Sequence, residues 1–360
     1  MSKRNDAADI LLAILFRHSI GDLDLQLHEE RLVDTVIQMA DEHLLGATLF
    51  ARLQAADQSQ NLPAHAFEYL NAQHELVAAK NRSMLQMLQQ ANEAFLAQQL
   101  DAIVLKGGAL LLTNVMPTAG SRLLSDIDLL VPEDQLATAR DTLLKLGCAE
   151  VAVKIDPFTH RHIYPLVHQA SETCFELHRS VVPGFLLTAF PVEDQLSQTV
   201  HTPLGQTDIR RPTVNALVLT CILHSAVINR EVAGLNLPLR SLFDLYCLTE
   251  AAGPNLEPVD WEALNAHLTN AGEREYIARL AAAYQRVSGE PLGNRESTSR
   301  ARLWTVLAHQ ALGNQKLALW GQRWQRLVLD PEERHQLSLP ARIFRLSSNA
   351  LRLIQSRRTR

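Results

Sequence analysis

Asp126 and Asp128 are separated by one apolar residue and followed by Leu129, Leu130 and Val131. Apolar residues at this density predict a buried strand. Residues i and i+2 of a strand point to the same face, so the two carboxylates project side by side. Like charges repel and burial penalises ionisation, so such a pair asks for a cation. Mg²⁺ suits it, because that ion takes one or two carboxylates together with substrate phosphates. Upstream, Ala102–Leu105 reads as a short strand broken by Lys106-Gly107-Gly108, with Ala109–Val115 resuming as helix. A strand, a Gly-Gly turn and a helix N-terminus expose backbone N–H groups where an anion can sit. Lys106 is placed to neutralise a phosphate or to flank the turn in solvent.

Three more positions near this stretch can do chemistry. Arg122 and Ser125 precede the acidic pair, either as phosphate contacts or as local caps. In CFELHRSV, Phe175 and Leu177 alternate with Glu176 and His178. Glu176 and His178 therefore share one face of a strand.

LKGGALL followed by R-x-x-SDIDLLV resembles the polymerase-β-like nucleotidyltransferase superfamily and, within it, a bacterial family of uncharacterised nucleotidyltransferases. The resemblance covers Leu105–Val131 most specifically and extends to about Ser180. It implies a Gly-Gly turn against the triphosphate, Asp-x-Asp as metal ligands and a third carboxylate on a later strand. Glu176 is the acid that fits the third place, which makes Asp126, Asp128 and Glu176 the expected catalytic and metal-binding set, holding two Mg²⁺ ions. Lys106, Gly107, Gly108, Arg122, Ser125 and His178 are the expected nucleotide contacts around it. The resemblance also carries a His on one C-terminal helix and an Arg with an Asp on the next. Here those are His224, Arg240 and Asp244, the first two as nucleotide or acceptor contacts, the last pairing with Arg240 at i,i+4. One departure is the length of the segment from Gly108 to Asp126, where Met116–Ser121 reads as an extra loop.

These residues need a frame. With 360 residues, 47% of them apolar, the chain can bury a large core in two or three domains. Residues 1–95 read as helical, with Ile10–Phe16, Leu32–Leu53 and Ala66–Gln99 as segments. In the last, Leu85, Leu88, Ala91 and Phe95 form one stripe. Residues 96–182 are expected to form the nucleotidyltransferase core that the resemblance implies. After Val131 a helix is expected to Leu146, stopped by Gly147. Strands follow at Cys148–Ile155, Arg161–His168 and Thr173–Val181. From Pro183 to residue 360 the pattern returns to helix, at Val214–Ile228, Pro238–Glu250, Asp260–Asn270, Glu273–Val287, Arg300–Leu319 and Arg342–Ser356. The expected class is α+β, a small mixed-sheet core flanked by N-terminal and C-terminal helical regions.

The net charge of −5 gives no reason to expect nucleic acid as partner. Cys148, Cys174, Cys221 and Cys247 show no metal spacing and no disulfide framework. His160, His162 and His168 read as scattered polar residues, not a metal site. No signal peptide and no apolar run long enough for a membrane span is seen, so a cytoplasmic location is expected. The basic tail beyond Arg342 reads as a docked terminal helix. The expected function is Mg²⁺-dependent transfer of a nucleoside monophosphate from an NTP to an acceptor, a small molecule, peptide or protein. Two other classes stay open. One is a phosphoryl or glycosyl transferase on the same scaffold. The other is a non-catalytic nucleotide-binding protein, such as a toxin–antitoxin-like component.

Overall fold

The computed structural model describes residues 3–17, 27, 29–151, 163, 165–250, 256–272, 274–293 and 297–314. Its class is α+β. The helices are α1 (Lys3–Phe16), α2 (Glu30–Glu42), α3 (Gly46–Ala55), α4 (Ala64–Ala97), α5 (Lys106–Leu112), α6 (Leu136–Lys145), α7 (Val192–Ser197), α8 (Val214–Ile222), α9 (Leu239–Thr249), α10 (Trp261–Asn270), α11 (Arg274–Ser288) and α12 (Ser299–Leu312). The strands are β1 (Ile103–Val104), β2 (Ile127–Leu130), β3 (Cys148–Glu150), β4 (Leu166–His168), β5 (Thr173–His178), β6 (Thr199–Leu204) and β7 (Thr207–Pro212).

The strands form one mixed sheet in the order β3-β4-β5-β2-β1-β7-β6. β2 lies at its centre because every residue of Ile127–Leu130 is buried, as a strand covered on both faces must be. β2 runs parallel to β5 and antiparallel to β1. The partners Ile127↔Phe175, Asp128↔Glu176, Leu129↔Leu177 and Leu130↔His178 set the register. A slip of one residue would turn the carboxylates into the apolar layer.

α4 spans 34 residues and packs on α6, β5 and β7. Its stripe is the expected one, with Leu88, Ala91 and Phe95 buried and Leu85 partly so. Its polar residues tie the core together. Asn81 Nδ2 donates to the carbonyls of Ala119 and Arg122 at 2.7 and 2.8 Å, and Asn81 Oδ1 accepts from the Leu124 amide at 3.3 Å. His74 Nε2 meets Thr118 Oγ1 at 2.7 Å. From α3, Thr48 Oγ1 donates to the Ser121 carbonyl. The 116–121 loop is thus fastened to the N-terminal helices and delivers the chain into β2.

Several elements depart from the sequence reading. The segment Leu32–Leu53 is two helices, α2 and α3, broken at residues 43–45, where Leu44 takes a left-handed φ of +59°. The turn before α5 falls on Lys106, whose φ is +46°, while Gly107 and Gly108 lie inside the helix. The purely helical reading after Pro183 is corrected by the β6–β7 hairpin, whose second strand pairs in parallel with β1 at Ile103↔Arg210. Gly205, with φ +64°, makes its two-residue turn. The calls on His160, His162 and the tail from Arg342 to Ser356 lie outside the described residues. Among the described residues no helix is long and apolar enough to cross a membrane.

Candidate active site

Asp128 is the centre of the site. Its side chain is 3% exposed, and a carboxylate so buried must be compensated. His178 Nε2 donates to Asp128 Oδ1 at 2.7 Å, and Lys106 Nζ donates to the same oxygen. Burial alone would push the Asp128 pKa up. The His178 hydrogen bond and the Lys106 charge outweigh it, so the pKa lies well below the usual carboxylate range. Glu176 is the in-register neighbour of Asp128 on β5, and its Oε2 lies 3.5 Å from His178 Nε2. Donor atoms of Asp128, Glu176 and His178 all lie within 4.8 Å of one another.

Asp126 sits just before β2 and is partly exposed. Ser125 Oγ donates to its Oδ1 at 2.8 Å. Burial first, and the charge of Asp128 second, hold the Asp126 pKa above its usual value. The two acids are therefore unlike: Asp128 is bonded directly to Lys106 and His178, whereas Asp126 is bonded to the neutral Ser125 and feels Lys106 only through space.

Arg122, expected as a phosphate contact or a cap, does something else. Its Nε and Nη2 donate to Oδ1 and Oδ2 of Asp244 at 2.8 and 2.9 Å. This two-pronged geometry is the strong form of the Arg–carboxylate contact. It corrects the expected local pairing of Arg240 with Asp244. Arg240 Nη2 instead donates to the Leu123 carbonyl at 2.5 Å. α9 therefore grips the segment leading into Asp126 at two places. Gly107 makes room for the grip, since a Cβ there would stand 2.2 Å from Arg122 Nη1 and 2.6 Å from Leu124 Cδ2.

A cavity of about 320 Å³ opens beside these groups. Lys106, Gly107, Arg122, Ser125, Asp126 and Asp128 line it from the sheet side, and His224, Arg240 and Asp244 from α8, α9 and their connection. Glu176, His178 and Gly108 are not among its lining residues; Glu176 and His178 reach the site through Asp128, and Gly108 packs close to Val104. The sequence reading overlooked Thr220, Cys221, Asn229, Glu231 and Ser241 on the helical wall. Only the polarity of Glu231 between apolar runs signals that wall in sequence.

The donor set fits a hard divalent cation. It is dominated by carboxylate oxygens, and Lys106 and His178 both meet Asp128 at Oδ1.

Asp128 on β2, Asp126 just before it and Glu176 in register with Asp128 on the neighbouring parallel strand gather three acids in a mixed sheet with helical flanks. The chain belongs to the family of uncharacterised nucleotidyltransferases, whose family model matches residues 29–287. The match takes in the N-terminal helices from α2, the whole sheet and the helices to α11. No curated protein and no solved structure matches the chain.

Proposed function

We propose that the protein moves a nucleoside monophosphate from an NTP to an acceptor in the cavity beside Asp126 and Asp128, with Mg²⁺ bound. The observation that carries this is the in-register pairing of Asp128 with Glu176, two residues downstream of Asp126. Asp126, Asp128 and Glu176 would hold the ions, two in number. Bound there, Mg²⁺ offsets triphosphate charge and stabilises the attacking and leaving oxygens. Lys106 supplies a cation at the rim for the phosphates. Glu176, less buried than Asp128, accepts the proton of the attacking hydroxyl. The acceptor oxygen bonds to the α-phosphorus, the bond to the bridging oxygen breaks, and pyrophosphate leaves.

The test is product mass after incubation with each NTP, Mg²⁺ and a protein-free metabolite extract. The expected result is pyrophosphate and an acceptor heavier by one nucleoside monophosphate. Glu176→Gln should keep NTP binding and lose activity by about 10²-fold, the typical effect of a positioned general base. NTP binding without any pyrophosphate release in the presence of extract would overturn transfer.

One observation favours a second reading. Asp128 is already met by Lys106 and His178, an arrangement that also suits a protein that binds nucleotide without metal or turnover. Equal NTP affinity in Mg²⁺ and in excess chelator would select it.

A further inference from the structure

The helical wall of the cavity carries a carboxylate of its own. α8 does not simply end: Leu223–Ile228 widens into a π-helix, and Arg230 then takes a left-handed φ of +49°. Glu231 follows. Such local irregularity persists where surrounding contacts over-determine it, often at ligand sites. Glu231 Oε2 accepts from Ser225 Oγ at 2.6 Å and from Ser241 Oγ at 2.8 Å. Asn229 Nδ2 lies 3.4 Å from Glu231 Oε1 and 3.1 Å from His224 Nδ1. An amide N–H only donates, so His224 Nδ1 accepts and the ring proton sits on Nε2.

All three of these donors to Glu231 are uncharged. They fix the carboxylate without neutralising it. Two cations of the cavity are paired with other carboxylates, Lys106 with Asp128 and Arg122 with Asp244; the third, Arg240, is bonded to the Leu123 carbonyl, and its charge acts through space on Asp244 and Asp126 before Glu231. A carboxylate on the wall of a cavity is costly to desolvate when a ligand fills the space, unless the ligand brings a positive charge. A neutral hydroxyl would not offset that cost.

We propose that Glu231 docks the acceptor through a protonated amine, with His224 as a neutral donor beside it. The inference names the acceptor class for the transfer proposed above and rests on that reading of the cavity. A protonated amine has no lone pair, so the attacking atom is a hydroxyl oxygen elsewhere on the acceptor. That oxygen bonds to the α-phosphorus as pyrophosphate leaves, and its proton passes to Glu176. The acceptor is accordingly an amino alcohol in the broad sense.

The experiment is calorimetry on the full chain with matched probes, glucosamine against glucose and 1,3-diaminopropane against 1,3-propanediol. The expected result is an amine member bound at least about tenfold tighter than its hydroxyl counterpart, which is about 1.4 kcal/mol. Glu231→Gln should erase the preference. Glu231→Asp keeps the charge but sets it back, so amine affinity should fall at least about threefold while hydroxyl affinity holds; this variant decides if the Gln variant does not fold. No amine binding, no preference, or a preference that survives in Glu231→Gln overturns the proposal. Binding of each NTP with Mg²⁺ by the wild type is measured separately. Amine preference without binding of any NTP leaves the Glu231 site standing and overturns nucleotidyl transfer; NTP binding without amine preference does the reverse.

Discussion

Arg122 and Asp244 lie 122 positions apart and meet in a buried, two-pronged ion pair. The pair joins the segment before β2 to α9, and so joins the acidic strand to the helical wall of the cavity. Burial lowers the guanidinium's tendency to stay charged, but the Asp244 charge reverses that and raises the Arg122 pKa.

Removing both partners should therefore cost less than the two single removals added together. Asp244→Ala leaves a buried guanidinium without its counter-ion and should cost about 3 kcal/mol, as broken buried pairs do. Arg122→Met with Asp244→Leu should cost clearly less than the sum of the single changes. Denaturant melts of the two single variants and the double variant check this; simple additivity would show the pair to be uncoupled.

Asp126 and Asp128 should respond oppositely to the same substitution. The folded-state pKa of Asp128 is lowered, so its contribution is present above its unfolded value of about 4 and lost as pH falls through the folded value. The pKa of Asp126 is raised, so its ionised form detracts from stability once pH rises past about 4. In metal-free buffer at pH 7, Asp128→Asn should lower stability by about 2 kcal/mol, the scale of charge-assisted hydrogen bonds. Asp126→Asn should leave the melting temperature unchanged or higher. A similar fall for both would remove the distinction between the two acids.

Lys106 competes with any divalent cation for Asp128. Lys106→Met should strengthen Mn²⁺ binding at least about fivefold, since a like charge some 4 Å away costs about 1 kcal/mol even in water. The same change should weaken NTP binding. Calorimetry with each ligand separates the two effects, and weaker Mn²⁺ binding in the variant would make Lys106 a support of the metal site.

Gly107→Ala should be costly where Gly184→Ala is not. The new methyl would meet Arg122 and Leu124, whereas nothing lies within 4 Å of the Cβ position at Gly184. Overpacking of this kind costs about 1–3 kcal/mol, and here it also dislodges Arg122 from Asp244. Thermal melts of the two variants, with the Arg122→Met background as a control, measure both parts.

The strand carrying Asp128, with Asp126 just before it, was legible because its residues are uniformly apolar around the acid, and α4 because its stripe repeats over many turns. Glu176 was placed on the right strand by alternation, but its register against Asp128 is a long-range fact that no local pattern contains. The β6–β7 hairpin escaped notice because its residues are half-exposed, polar and interrupted by Pro203. Only the Gly205-Gln206 turn marks it. Asp244 was read with Arg240 because helical spacing makes that pair look complete; burial decided for Arg122 instead. The helical wall around Glu231 depends on a π-turn, for which sequence offers no periodic signal.

β1 is two residues long and is bonded on one side to β2 and on the other to β7, where Ile103 meets Arg210. During synthesis its second neighbour leaves the ribosome more than a hundred residues after β1 does. Until then the middle of the sheet has an open edge, the feature that invites mispairing with other chains. Long-range parallel pairing of this kind is also slow to form. Asp126 and Asp128 are thus made well before β7 (Thr207–Pro212), the strand that closes the sheet on the far side of β1.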